Sequence, residues 1–285
     1  EIAQQIARYL SEQHPEVFTG YQTTTATADW STFDTVGGYM PEANGGDSLK
    51  FKPGQILRCF KQKERQQNDL LIIDEINRSD IDKSFGQLFT LLSGQEIQLP
   101  FTADGEAVEV YPAEMAPSSL APHQYVVPSS WRLLATMNSY DKTSLYEMSY
   151  AFMRRFSFIH IDAPEIPKDE RKRRQLLNQY LSVWDEDIEQ TVVDAVGDIW
   201  YITNTVVDQR KIGPAIVKDM LGQVSNSTAP LEQAVTRAVT SYVFPQLEGV
   251  QRRQQIVSQL ASAKNVDSDR LRDLAEEILR VEIDG

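Results

Sequence analysis

The chain has 285 residues, of which 41% are hydrophobic and 24% are charged, so it is long enough for one large domain or a large and a small one. Its formal net charge of −13 excludes a surface that covers DNA without a local basic patch or a partner. A single cysteine, Cys59, excludes an internal disulfide, and no run approaches the roughly 20 apolar residues of a membrane span. We therefore expect a cytoplasmic protein that does not contact a membrane.

The first part of the chain predicts a helix, a strand and a hairpin. Apolar residues in 1–13 recur at helical spacing, and "YQTTTATADW" at 21–30 alternates as a strand does. Ser31 is a candidate N-cap for a short helix. The segment "LKFKPGQILRCF" at 49–60 predicts a hairpin that turns at Pro53–Gly54.

The middle of the chain alternates between strand and helix patterns. An apolar strand at 69–74 precedes an amphipathic helix within 80–94, which Gly94 would end. A hairpin turned at Asp104–Gly105 follows, and then a stretch at 112–130, rich in Pro, Ser and Ala, that is typical of a loop. Two further buried strands are predicted from "WRLLATMN" and "FSFIHID".

Helical periods dominate beyond Pro164. Residues 1–162 therefore predict an α/β domain with a parallel sheet, and residues 163–285 predict an all-helical domain. The main basic cluster, "KDERKRR" at 168–174, could contact DNA or a partner, but it is more typical of the exposed face of the first helix of this region.

The strand at 69–74 delivers two carboxylates, Asp74 and Glu75, to its C-terminal end. Open α/β sheets bind their ligands at this edge. In nucleotide hydrolysis, Asp74 would hold the water shell of Mg²⁺, and Glu75 would orient and deprotonate the attacking water. The alternative is a strand end whose carboxylates only cap the next helix.

Two further features favour the hydrolytic interpretation. The strand "WRLLATMN" ends in Thr136 and Asn138, and Asn138 could reach the γ-phosphate or the attacking water, although a strand-end Asn is more often a turn residue. Arg154 and Arg155 stand just before an apolar strand, where such a pair usually lies on a solvated helix end. They could instead supply an arginine finger, which stabilises the charge that develops during phosphoryl transfer.

The order of these segments carries a family resemblance. "LLIIDEINRSDIDKSFGQLFTLLSGQ" resembles the Walker B segment of McrB-like and dynein-related (MoxR-like) AAA+ ATPases, and "ATMNSYDKTSLYEMSYAFMRRFSF" resembles their sensor I and arginine-finger segment. The pattern from Met137 to Asp141 is similar to the McrB signature, with Lys142 where that family usually carries Arg. The resemblance covers about residues 1–165 well and the helical region loosely.

This resemblance implies a P-loop NTPase core followed by a helical lid. Asp74 and Glu75 are then the Walker B pair, Asn138 is sensor I, and Arg155 is the first candidate for the finger, with Arg154 beside it. In the sensor II region, "RKIGPAIVKDM", the family's usual Arg is replaced by Ala215. Arg210, Lys211 and Lys218 remain as alternatives for this role, as does loss of the sensor.

The phosphate-binding loop of this family is missing from the sequence. No G-x-x-x-x-G-K-S/T pattern occurs, yet residues 1–10 resemble the helix that directly follows that loop in relatives. We expect that the chain is a piece that begins just after its P-loop and is inactive without it. A degenerate AAA+ subunit that never had the loop is the alternative.

The resemblance further implies Mg²⁺-dependent hydrolysis of ATP, with GTP as an alternative, in a homo-oligomeric ring of six subunits. The first functional hypothesis is a McrB-like restriction motor that acts on DNA with a partner nuclease subunit. The alternatives are a MoxR- or dynein-like ATPase that remodels proteins, and a scaffold that binds without hydrolysis.

Overall fold

The computed structural model describes residues 2–41, 49–138, 148–207 and 211–281. The chain divides into two compact units, the first comprising residues 1–158 and the second residues 159–285. The sequence predicts the boundary between the two domains at residues 162 and 163. None of the described helices is long and apolar enough to cross a membrane.

The first unit combines short helices with ten described strands. Its helices are α1 (Ile2–Gln13), α2 (Thr32–Thr35), α3 (Gln55–Arg58), α4 (Ile81–Phe85), α5 (Leu88–Leu91) and α6 (Tyr150–Met153). Its strands are β1 (Gly20–Thr25), β2 (Gly37–Pro41), β3 (Leu49–Pro53), β4 (Lys61–Gln62), β5 (Arg65–Gln66), β6 (Asp69–Asp74), β7 (Ile97–Ala103), β8 (Glu106–Pro112), β9 (Gln124–Val127) and β10 (Leu133–Ala135). Single 3₁₀ turns lie at Ile76–Arg78 and Ala113–Met115.

The central sheet is parallel, with the strand order β1-β6-β10. Its middle strand, β6, is buried on both faces, as expected of a parallel sheet covered by helices. Leu70 and Ile72 form a small core with Ala7 of α1, whereas Leu71 and Ile73 belong to the larger core on the opposite face. The predicted parallel α/β architecture is confirmed, and the sheet ends with Asp74 at its C-terminal edge.

The hairpin of β7 and β8 forms as predicted. Asp104 and Gly105 both adopt left-handed backbone conformations, with φ of 54° and 87°, which is the geometry of a tight two-residue hairpin turn. The loop predicted for 112–130 is wrong in part, because β9 lies within it and pairs in parallel with β8. The segment "QYVV", with its apolar residues, forms that strand.

Two other local predictions are wrong. The expected single helix within 80–94 is divided into α4 and α5, because Gly86 adopts φ 47° and approaches the side chain of Thr32 too closely for a Cβ atom. Pro53–Gly54 is not a hairpin turn. Instead, β3 pairs with β2, and Gly54 is the N-cap residue of α3.

The third predicted strand, "FSFIHID", does not form. Residues 157–161 have no regular structure, and Phe158, Ile159 and Ile161 are exposed. A strand is stable only where a neighbouring backbone supplies hydrogen bonds, and none of the described residues pairs with this segment.

The second unit is helical throughout its described residues, as predicted. Its helices are α7 (Glu170–Trp184), α8 (Gln190–Val206), α9 (Pro214–Ser225), α10 (Leu231–Ala238), α11 (Arg253–Ala261) and α12 (Ser268–Leu279). A π-helical turn and a 3₁₀ turn, Val239–Val243 and Phe244–Leu247, separate α10 from α11. Trp200 of α8 is fully buried and belongs to one continuous hydrophobic core.

Candidate functional site

The candidate site begins where β6 and β10 end side by side. The hydroxyl of Thr136 donates a hydrogen bond to Oδ1 of Asp74 and accepts one from the backbone N–H of Glu75 at 3.2 Å. The backbone of Thr136 also donates to the carbonyl of Ile73 at 2.9 Å and accepts from the N–H of Ile76 at 3.0 Å. Two of these four hydrogen bonds involve Asp74 and Glu75 themselves, and the other two hold the flanking residues Ile73 and Ile76 to the end of the neighbouring strand.

Glu75 has an unusual backbone conformation for a non-glycine residue. Its φ of 54° and ψ of 44° are left-handed, which costs an L-residue of this kind about 1–2 kcal/mol. Such strain persists only where the surroundings enforce it, and it is concentrated at functional sites. Because of this turn, the side chain of Glu75 does not continue the alternation of side chains between the two faces of β6.

The carboxylate of Glu75 is only partly satisfied. Its Oε2 atom is buried and accepts no hydrogen bond from the described residues. Nε of Arg78 lies 3.4 Å away, within ion-pair distance but outside hydrogen-bond geometry. This carboxylate oxygen therefore keeps its capacity to accept a hydrogen bond, and the nearby guanidinium of Arg78 favours its charged form.

Asn138 follows Thr136 by two residues and is exposed at the same edge of the sheet. The strand register therefore brings three of the predicted residues, Asp74, Glu75 and Asn138, to one end of the parallel sheet. The remaining McrB-like signature residues, Asp141 and Lys142, lie outside the described residues.

The donor set at this edge fits Mg²⁺ bound together with a phosphate ligand. Asp74 is exposed and supplies hard carboxylate oxygen, which Mg²⁺ prefers. Among the described residues, no three His, Cys, Asp or Glu side chains cluster as a metal site. Mg²⁺ usually takes one or two protein carboxylates and completes its shell with water and phosphate oxygens, so Asp74 would hold it through water.

Arg155 is bound to its own unit, and no described contact joins it to Asp74 or Glu75. Its Nε donates to the carbonyl of Phe89 and to Oγ of Ser93, each at 3.2 Å, and its Nη2 donates to the same Oγ at 2.7 Å. Arg154, the C-cap residue of α6, is exposed. The two arginines are adjacent in sequence, but their side chains have different contacts in the structure.

The lysines considered for sensor II lie in the second unit. Nζ of Lys218 is 3.8 Å from a carboxylate oxygen of Glu186 and 5.6 Å from the ring centre of Trp184. Lys211 is exposed just before α9, and Ala215, in the first turn of that helix, is exposed as well. Arg210 lies outside the described residues.

Hydrogen bonds that the sequence did not indicate hold the segment before α9 to side chains of α8. The side-chain amide of Asn204 donates to the carbonyl of Ile212 at 3.0 Å and accepts from its N–H at 2.8 Å. Nε1 of Trp200 donates to the same carbonyl at 2.9 Å. Asn204 is buried on α8. No sequence pattern predicts this burial, so the sequence did not indicate these hydrogen bonds.

The arrangement of strand, carboxylate pair and polar strand end can be compared with known families. Residues 1–156 match the family model described as "AAA domain (dynein-related subfamily)". The chain belongs to this AAA subfamily. A P-loop NTPase core of the AAA+ type followed by a helical region is therefore confirmed, and so is the resemblance to the McrB-like branch.

Two curated relatives support that branch. Over 140 residues, the chain is 31% identical to the EcoKMcrB subunit of the type IV methyl-directed restriction enzyme of Escherichia coli strain K12, a match that covers 47% of this chain and 26% of that protein. Over 124 residues, it is 30% identical to YdiS, a component of the type II restriction enzyme BsuMI of Bacillus subtilis strain 168, covering 42% of this chain and 35% of that protein. The match thus spans only a quarter to a third of the length of these relatives.

The chain is also similar to two solved structures of mutant RuvB proteins from Thermotoga maritima. The first has 18% identity and a TM-score of 0.29, over 75% of this chain and 58% of that chain. The second, a different mutant, has 15% identity and a TM-score of 0.27, over 97% of this chain and 84% of that chain. At these scores, the structural similarity carries no argument beyond the family match.

Proposed function

We propose that this chain is the nucleotide-hydrolysing part of an oligomeric AAA+ motor, with Asp74 and Glu75 at its reaction centre. The observation that carries the proposal is the Thr136 bridge, in which one hydroxyl binds both the carboxylate of Asp74 and the backbone of Glu75. A pair of carboxylates that only capped a following helix would have no need of this connection between strands.

The residues divide the reaction between them. When bound, Mg²⁺ would neutralise charge on the phosphates, and Asp74 would hold it through water. Glu75 would orient the attacking water and take its proton. Asn138 at the same edge would position that water or the γ-phosphate, and an arginine from a neighbouring subunit would stabilise the developing charge.

The motor would act in DNA restriction. Both curated relatives are components of restriction enzymes by their names, which favours this role over protein remodelling. By this proposal the subunits form a homo-oligomeric ring, most simply a hexamer, that works with a nuclease subunit on DNA in the cytoplasm. Such a ring binds DNA through local surfaces, since the net charge of the chain is −13.

Phosphate release by the full-length protein tests the proposal. We expect Mg²⁺-dependent release from ATP, with GTP tested in parallel because McrB-like proteins make it an alternative substrate, and we expect added duplex DNA to stimulate turnover. Turnover that DNA leaves unchanged would contradict the restriction role and favour protein remodelling. Nucleotide binding without hydrolysis under every condition would contradict the motor and favour a scaffold.

A further inference from the structure

We infer that Arg154, rather than Arg155, is the arginine that acts on the nucleotide of a neighbouring subunit, and that Arg155 is a positioning residue that holds it in place. This inference rests on the proposed function, because it needs a second subunit with a bound nucleotide. It assigns different tasks to two adjacent arginines that the sequence cannot distinguish.

The guanidinium of Arg155 is already occupied within its own chain. All three of its nitrogens donate hydrogen bonds, Nε and Nη2 to Phe89 and Ser93 and Nη1 to the carbonyl of Ala151. The guanidinium carbon also lies 5.4 Å from the ring centre of Phe89. To reach a phosphate in another subunit, Arg155 would have to break these contacts. Its side chain instead connects α6 with α5.

The aromatic residues around Arg155 reinforce this connection. Phe152 of α6 is buried against Phe85 and Phe89, with ring centres 5.5 and 5.9 Å apart, and it packs on Phe156 at 4.5 Å. At the start of α6, Oγ of Ser149 donates to the carboxylate of Asp82 at 3.0 Å. One side of α6 is therefore fixed to the helices that follow β6.

Arg154 differs from Arg155 in its contacts. Both side chains are exposed, but that of Arg154 makes no hydrogen bond or ion pair with any described residue. Successive residues of a helix point about 100° apart, so the packing of Phe152 and Arg155 turns Arg154 away from the body of the unit. Tyr150, four residues earlier and on the same side, is 83% exposed. An exposed tyrosine beside an arginine that is unpaired among the described residues fits a surface that contacts a second copy of this chain.

Substitutions in the full-length protein separate the two roles. We expect Arg154→Ala to lower the turnover number by about 1,000-fold or more, the scale of a lost finger, with the melting temperature and the nucleotide affinity unchanged. We expect Arg155→Ala to lower the melting temperature and to reduce turnover less. Ser93→Ala removes one partner of Arg155 and should reproduce the Arg155→Ala phenotype in milder form, although it leaves both arginines intact.

Mixing subunits tests whether Arg154 acts in trans. Arg154→Ala and Glu75→Gln subunits are each expected to be inactive alone. A ring that contains both has interfaces where an intact Glu75 meets an intact Arg154, so mixing should restore about a quarter of wild-type turnover if interfaces act independently. Two Arg154→Ala preparations mixed together are the matched control and should stay inactive.

The opposite pattern would overturn the assignment. If Arg154→Ala keeps turnover within about threefold of wild type, while Arg155→Ala abolishes it at an unchanged melting temperature, then Arg155 is the finger. Failure of the mixed subunits to regain activity, with mixed rings verified by mass, would exclude action in trans. A wild-type protein that does not hydrolyse nucleotide would instead overturn the proposed function itself.

Discussion

The hydroxyl of Thr136 donates a hydrogen bond to the carboxylate of Asp74 at the end of the neighbouring strand. The same oxygen accepts from the N–H of Glu75 at 3.2 Å, so a single side chain fixes both carboxylate-bearing residues. The sequence separates these residues by about sixty positions, and the parallel pairing of β10 with β6 brings them together. Thr136 is therefore the residue on which the geometry of the site depends.

Replacing Thr136 by Val should damage both stability and turnover. Valine keeps the shape but removes the donor to Asp74 and the acceptor for Glu75, so we expect a loss of about 1–2 kcal/mol in the free energy of unfolding. The matched control is Thr136→Ser, which keeps the hydroxyl. Urea unfolding of both variants measures the difference, and equal stability of Thr136→Val and wild type would show that the bridge does not matter.

Glu75→Gly should separate stability from function. Glycine adopts the left-handed backbone conformation of residue 75 without steric cost, and the substitution also removes a buried oxygen that accepts no hydrogen bond from the described residues. We expect the free energy of unfolding to stay equal or to rise by up to about 1 kcal/mol, while hydrolysis is lost. Thermal unfolding and phosphate release measure the two effects, and a clearly less stable Glu75→Gly protein would contradict this account of the turn.

Arg173 and Arg174 provide a matched pair within the basic cluster. Arg173 is buried, forms an ion pair with Asp198, and donates to the carbonyls of Pro167 and Lys168, each at 3.0 Å. Arg173→Ala would leave these groups without their partner, so we expect the second unit to lose about 3 kcal/mol of stability.

Arg174 forms an ion pair with Asp194 at 2.6 Å, but both side chains are well exposed to solvent. We therefore expect no measurable destabilisation from Arg174→Ala, because water screens such pairs. Chemical unfolding of the two variants gives the comparison. Equal effects would show that burial does not distinguish the two arginines.

Cys59 should report on the unfolding of the first unit. Burial, followed by the nearby charge of Asp69, raises the pKa of its thiol to about 12. The unfolded thiol titrates at about 8.5, so between these values the unfolded state releases a proton that the folded state keeps. This contribution to stability is complete below about pH 8.5 and is lost as the pH rises towards 12.

A thiol reagent measures this directly. At about pH 8 we expect Cys59 to react only as fast as the first unit opens, and addition of urea should accelerate the reaction steeply. Rapid modification of the folded protein at the rate of a free thiol would contradict the buried position of Cys59.

Much of the candidate site could be predicted because its signals are local. The apolar run from Leu70 to Ile73 with Asp74 and Glu75 after it marks a strand end in any context. The N-cap at Ser31, whose hydroxyl accepts a hydrogen bond from the N–H of Phe33 at 3.2 Å, and the turn at Asp104–Gly105 also depend only on neighbours in sequence. Each of these features is present in the structure.

The remaining features depend on distant parts of the chain. Thr136 gains its importance from strand register, and Arg155 from Phe89 and Ser93, residues more than sixty positions earlier. The strand expected at 156–162 has apolar residues but no backbone partner among the described residues, so its composition was not sufficient to form a strand.

Turnover by Glu75→Gln tests the central claim most directly. Glutamine keeps the size and hydrogen-bonding capacity of the side chain but cannot take a proton from water. In the full-length protein, we predict that Glu75→Gln binds ATP or GTP with Mg²⁺ as tightly as wild type and releases phosphate at least about 100-fold more slowly. Glu12→Gln, an exposed carboxylate on α1, is the control. Phosphate release by Glu75→Gln at the wild-type rate would contradict the assignment of Glu75 as the residue that activates water.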